Sequence, residues 1–269
     1  MDTTISKLKI GERLLLGRYG VLNEEPCPIF WLKSNLDCNF IAEDAVDYVC
    51  FDARERSSEN RNVQCGGNGK YKLSNLLGYL NSEDEQWYRP AHQTDSPPDA
   101  RNTDRYAEYE SHFGFLYHFE EYELDSLVYD SIQVGGETVS SLVRLPLIRE
   151  IIGPDRFKLF HKKGIRPKAS DDMIQNRKNT GLVYGSYIDF WVADESDRYI
   201  NYAKVLSRSG VEDIKPAMQS AGIRPVCHIK GDTPVIVGED GFYHIKPRVI
   251  KQSICTDEEL FSFLSISLA

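Results

Sequence analysis

The chain has no excess of positive charge. Its 32 Lys plus Arg face 41 Asp plus Glu, a net −9 over 269 residues. Binding along a phosphate backbone needs a basic surface, so a nucleic-acid partner for the whole protein is not expected. Long apolar runs are missing too. Leu14–Leu16 is far shorter than a signal-peptide core, and no stretch approaches membrane-spanning length. These absences predict a cytoplasmic protein, or a virion part made in the cytoplasm, with no membrane partner. The six cysteines (27, 38, 50, 65, 227 and 255) form no C-x-x-C pair, and the first four are spaced by 11, 12 and 15. Reduced thiols are expected rather than a disulfide framework. No Gly-x-Ser-x-Gly elbow occurs, and the six histidines fall in no metal-ligand pattern; His112 and His118 are simply six apart. Neither a metal nor another cofactor is expected.

Apolar residues make up 41% and aromatics 11%, enough for a folded core and too rich for disorder. Arg13–Arg18 and Pro28–Leu32 are short apolar runs separated by turn-forming residues, and Ile41–Phe51 suggests a third strand. Residues 52–70 read as a loop ending in Gly66-Gly67-Asn68-Gly69. No Lys-Ser/Thr pair follows it, so flexibility is read there in preference to a nucleotide site. Ser74 caps a short helix with Leu76, Leu77 and Leu80, closed by Asn81. Residues 82–112 form a long irregular stretch, either functional or tied down by its aromatics. Further short helices are expected over 119–127, at Leu147–Ile152 behind Pro146, and after Ser170. Gly135-Gly136 marks a hairpin turn, and Tyr199–Val205 and Ile223–Ile229 read as strands. The basic residues around 161–168 run into Asp171 and Asp172, and read as a solvated loop. Asp240-Gly241 sits in a strong hairpin signal, and Thr256–Glu259 is a capping box for a last short helix. The sum is α+β, with one domain over 1–232 and a C-terminal hairpin and helix, 233–269, packed on it.

Several segments, in this order, resemble an uncharacterised family of bacterial and phage proteins related in fold to C-type lectins and to the formylglycine-generating enzyme. They are Gly17-Arg18-Tyr19 with Pro28–Trp31, Ser74–Leu76 with Tyr79–Asn81, and Trp87-Tyr88 with Ala91-His92, Thr94-Asp95 and Pro97-Pro98. Phe190–Val192 is similar to the family's aromatic strand, and Gly222–Val226 to its closing strand. Where the family carries Arg and Ser after its Trp-Leu pair, this chain has Ala193 and Asp194, and residues 233–269 have no counterpart. The resemblance implies a C-type-lectin-like (formylglycine-generating-enzyme-like) domain of many short strands, few short helices and long loops. Its ligand face would be built from loops between the aromatic and closing strands, which are sites of sequence diversification in related proteins.

Two functions follow. The first is a non-catalytic module recognising a protein or glycan through loops 185–222, with Tyr187, Asp189, Trp191, Asp194, Tyr199, Asn201, Tyr202 and Arg208 as candidate ligand-binding residues. Tyr and Trp offer large contact area with few rotors to freeze. For Trp191 the competing place is the core. The second is a formylglycine-generating-type oxidation at Cys227, which would need a second thiol, a metal or a cationic neighbour to make the thiolate. Cys227 also reads as a buried structural cysteine, with His228 on the opposite strand face. Asp189, Asp194, Glu195 and Asp197 could offer oxygens to calcium, but also read as a solvated acidic loop, since the Glu-Pro-Asn and Trp-Asn-Asp signatures of calcium lectins are absent. The sequence leaves the oligomeric state open.

Overall fold

A computed structural model describes residues 3–20, 25–35, 37–161, 167–168 and 186–247. The chain begins with strands β1 (Thr3–Thr4), β2 (Arg13–Tyr19), β3 (Cys27–Lys33), β4 (Asn39–Ala42) and β5 (Asp47–Cys50). Helices α1 (Arg61–Gly66), α2 (Asn75–Leu80) and α3 (Glu121–Leu124) follow. Next come β6 (Leu127–Val128), the hairpin β7 (Asp130–Val134) and β8 (Glu137–Ser141), β9 (Val143–Arg144) and α4 (Ile148–Ile151). The last strands are β10 (Phe190–Glu195), β11 (Tyr202–Leu206), β12 (Glu212–Pro216), β13 (Ser220–Ile223), β14 (Val226–Ile229), β15 (Pro234–Val237) and β16 (Tyr243–Ile245). The fold is therefore mostly β-sheet with a few short helices. The helices expected after Ser170 and Thr256 lie outside the described residues, as does most of the basic stretch. Among the described residues no helix is long and apolar enough to cross a membrane.

One sheet runs β1-β15-β16-β2-β3-β4-β14-β6, with β9 also on β14, and a second runs β12-β11-β10-β13-β5. Two expected single strands each split between these sheets. Ile41–Phe51 breaks into β4 and β5, and Ile223–Ile229 into β13 and β14. Both crossings are held by one side chain. Arg224 is buried, and its Nε and Nη2 donate to the carbonyls of Ala42 and Glu43 at 2.9 and 3.0 Å. Its guanidinium lies 5.3 Å from the Phe160 ring centre.

In β2 the alternation slips by one. Leu14, Leu16 and then Tyr19 face the core, because Gly17 is an inserted residue where the register against β3 shifts. Its φ is +67°, and a Cβ there would lie 2.2 Å from the Phe119 ring. The Gly17 amide donates to the buried Glu123 carboxylate at 3.1 Å, tying the bulge to α3. Trp31, fully buried on β3, donates its indole N–H to the Leu16 carbonyl at 2.9 Å.

Four local readings change. Residues 52–70 contain α1, whose Asn60 cap accepts from Asn62 N at 3.0 Å. The glycine run is a packing surface and not a flexible tether: Gly69 N donates to Ile200 O at 2.7 Å, and a Cβ on Gly69 would sit 2.2 Å from the Tyr202 carbonyl. Pro146 lies ahead of the α4 cap, Leu147, and its carbonyl accepts from Ala193 N at 2.9 Å. The strand read over Tyr199–Val205 begins only at Tyr202, after a turn, while Ser74 caps α2 by accepting from Leu77 N and Asn81 closes it, as read. The 82–112 stretch is tied down by its aromatics. Trp87 stacks on Tyr109 at 5.2 Å and meets Tyr79 edge-on at 5.1 Å, and its indole N–H reaches the Tyr109 carbonyl.

Candidate functional site

The predicted face is carried by β10, β11, β12 and the turns joining them. At the head of β10, Asp189 lies 2.8 Å from the Lys215 ammonium and accepts from the Arg208 amide at 2.8 Å. Burial alone would raise this carboxyl; Lys215 and the Arg208 amide outweigh it and hold it below the usual aspartate range. Beyond β10, Tyr199 and Ile200 are 53% and 40% exposed, and the Tyr199 ring lies 5.2 Å from that of Tyr202. Tyr187 is exposed too. The turn under Tyr199 is held firmly. The Ile200 carbonyl accepts from Gly69 N, the Asn201 carbonyl accepts from Ala217 N at 2.9 Å, and the Asn201 side chain lies over Gly66. A neighbouring cavity of about 420 Å³ is lined by Ser196, Asp197, Arg198, Lys204, Glu212 and Asp213, among others.

Two candidates leave the face. Trp191 is fully buried, donates to the Val49 carbonyl at 2.8 Å and meets Phe51 edge-on at 5.5 Å. It belongs to the core, because an apolar β10 has both faces covered. Asp194 accepts from Ile148 N at 2.7 Å and so holds the start of α4. Burial raises its carboxyl despite that bond. Nor does the acidic run converge. A Cβ on Gly135, in the β7–β8 turn, would meet the Glu195 carboxylate, while the exposed Asp197 faces Lys204 at 3.7 Å. Among the described residues no group of three or more His, Cys, Asp or Glu is arranged to hold a metal ion.

Cys227 lies on β14, opposite Phe40 and Val143, and is 1% exposed. Cys227 is a free thiol. Burial pushes the Cys227 thiol far up, and the nearby Arg144 offsets this only in part. Arg144 is itself engaged, with Glu150 at 2.7 Å and Asp130 at 2.6 Å.

Sequence reasoning missed two buried polar networks. In one, Tyr19 donates to Asp47, Tyr79 donates to Tyr19 at 3.1 Å, and His112 Nδ1 lies 3.3 Å from Asp47. A His–Asp pair suggests general-base chemistry, but His112 hydrogen-bonds to no serine or cysteine among the described residues, and the network reads as structural. In the other, Asp52 accepts from the Asn68 and Asn75 amides at 2.8 and 2.9 Å. Asn75 also donates to Asp95 at 2.8 Å, and Glu55 receives Asn68 and faces His92 at 2.9 Å. Burial drives the Asp52 carboxyl well up and also raises that of Asp95. These acids stitch the glycine run, α2 and the 91–95 loop together. The partners are 13 to 37 residues apart in sequence, with no spacing signal to reveal them.

No family model, curated protein or solved structure matches the chain.

Proposed function

We propose that the chain is a non-catalytic binding module of C-type-lectin-like, formylglycine-generating-enzyme-like fold, recognising a protein or glycan through residues 185–222. The observation that carries this reading is the exposed pair Tyr199 and Ile200, with the Tyr199 ring set against the half-buried Tyr202, on a turn pinned by backbone hydrogen bonds from Gly69 and Ala217. Large apolar side chains held out in water on a rigid frame spend little ordering entropy on association. The fold reading is supported by β10 and β13, the aromatic and closing strands. They run parallel and adjacent, with Phe190 opposite Gly222. The face consists of Tyr187, Asp189, Tyr199, Asn201, Tyr202 and Arg208, without Trp191 and Asp194. The oxidase reading gains nothing from Cys227, buried and unpaired.

The test compares the protein with its Tyr199→Ala/Arg208→Ala double variant, both shown folded by circular dichroism, on a glycan array and in cross-linking to host proteins. Exposed aromatic and arginine anchors contribute about 1–3 kcal/mol each, so true ligands should be lost or weakened at least tenfold in the variant. Ligands retained in full by the variant would place recognition elsewhere.

A further inference from the structure

Two cavities of about 350 and 480 Å³ meet at Arg89, along one side of the 82–113 segment. The first lies over α2 at Gly78; the second runs between Tyr88 and Phe113. Their walls are fixed. Gly114 N donates to Asp84 O at 2.9 Å and Leu116 N to Ser82 O at 3.0 Å, joining the two sides. Phe113 stacks on the exposed Tyr117 with centres 4.7 Å apart.

The groove has a charge problem that the chain does not solve. Glu83, Asp84, Glu85 and Glu110 are exposed along it, and Glu83, Glu85 and Glu110 have no ion-pair partner among the described residues. The one cation lining it, Arg89, has Nη1 donating to the Gln86 and Tyr88 carbonyls at 2.7 and 2.9 Å, and its other nitrogen stays 3.8 Å from Asp84. Gly78 is a second oddity. It sits inside a helix, where alanine is the better helix former, yet its φ is ordinary and a Cβ there would meet nothing within 4 Å. The fold does not need glycine at this position; a chain lying across α2 would.

We propose that this groove is a docking site for a basic segment of a partner protein. Lysine or arginine stems lie along Tyr88 and Phe113, their cationic heads among Glu85, Glu110, Asp84 and Glu83, and the segment passes over Gly78. Long cationic side chains suit such a groove because the stem is apolar and the head relieves the like-charge repulsion. A neutral glycan would leave that repulsion in place. The surface is built from other segments than the Tyr199 face, and the inference is independent of the proposal above.

The test is fluorescence anisotropy with a dye-labelled octalysine peptide and a neutral chito-oligosaccharide as competitor. Three variants change exposed positions and should fold as the parent does: Glu85→Gln/Glu110→Gln, Gly78→Phe, and the charge-matched control Glu59→Gln/Glu239→Gln, away from both faces. The expected result is salt-sensitive peptide binding, weakened about tenfold by the groove pair and several-fold by Gly78→Phe, and changed less than about twofold by the control. Equal loss in the control would reduce the effect to net charge and overturn the proposal. So would no binding at low salt, or displacement of the peptide by the oligosaccharide.

Discussion

Asp194 shows how a surface-looking acid is drawn into the frame. Its carboxylate takes the Ile148 amide at the start of α4, and burial leaves its pKa raised although Ile148 and Lys204 pull the other way. A carboxyl whose folded pKa lies above its unfolded value of about 3.9 binds its proton more tightly in the native state. Its contribution to stability is full below the unfolded pKa and is lost as pH rises through the folded one. Asp194→Asn keeps an oxygen for Ile148 N and removes the titration. The variant should therefore gain on the wild type between about pH 4 and pH 7, measured as the difference in urea midpoints at the two pH values. A difference that is flat or moves the other way would show that the site does not disfavour the charge. Sequence could not reveal this role, because the acid and the amide it holds are 46 residues apart. Trp191 was ambiguous for a related reason: an aromatic inside an apolar run reads alike in a core and on a recognition face.

At the scale of elements, most of what rested on local chemistry was legible, although α1, capped by Asn60, was not. The hairpin turns at Gly135-Gly136 and Asp240-Gly241, the Ser74 cap and the Asn81 stop are set by residues adjacent to the turn they make. The breaks at 43–46 and 224–225 were not, since residues on both sides of each crossing are buried and apolar alternation carries no mark of a change of sheet. The β2 bulge lies between these cases: glycine was visible, but its reason is Phe119, a residue far along the chain. Gly17→Ala combines a left-handed φ with a ring in the way of the new Cβ, and should cost about 2–4 kcal/mol. Chemical denaturation measures it directly. A loss under about 1 kcal/mol would mean that the bulge and Phe119 relax together.

For the whole molecule, the decisive feature is where the C-terminal hairpin sits. The sequence read the hairpin as packed on the domain; β15 and β16 lie inside the larger sheet, between β1 and β2. Val235 pairs with both Thr3 and Ile245, while β16 runs parallel to β2 at Leu14 and Leu15. Val235 and Ile245 are buried in the main core. Removing the hairpin would strip β1 of its partner and bare the edge of β2, a row of unpaired N–H and C=O groups flanked by newly exposed apolar side chains. A chain ending at Asp232 should therefore lose its cooperative transition, or melt more than about 10 °C lower, and aggregate through the open edge. A chain ending at Pro247 serves as the comparison, since it keeps every described strand. Thermal melts followed by circular dichroism, with light scattering for aggregation, separate the outcomes. If the 1–232 chain melts within a few degrees of the 1–247 chain, the hairpin is an accessory and the domain closes without it. If it does not, the first and last strands fold as one unit, and the turn at Tyr199 rests on a frame that needs both ends of the described chain.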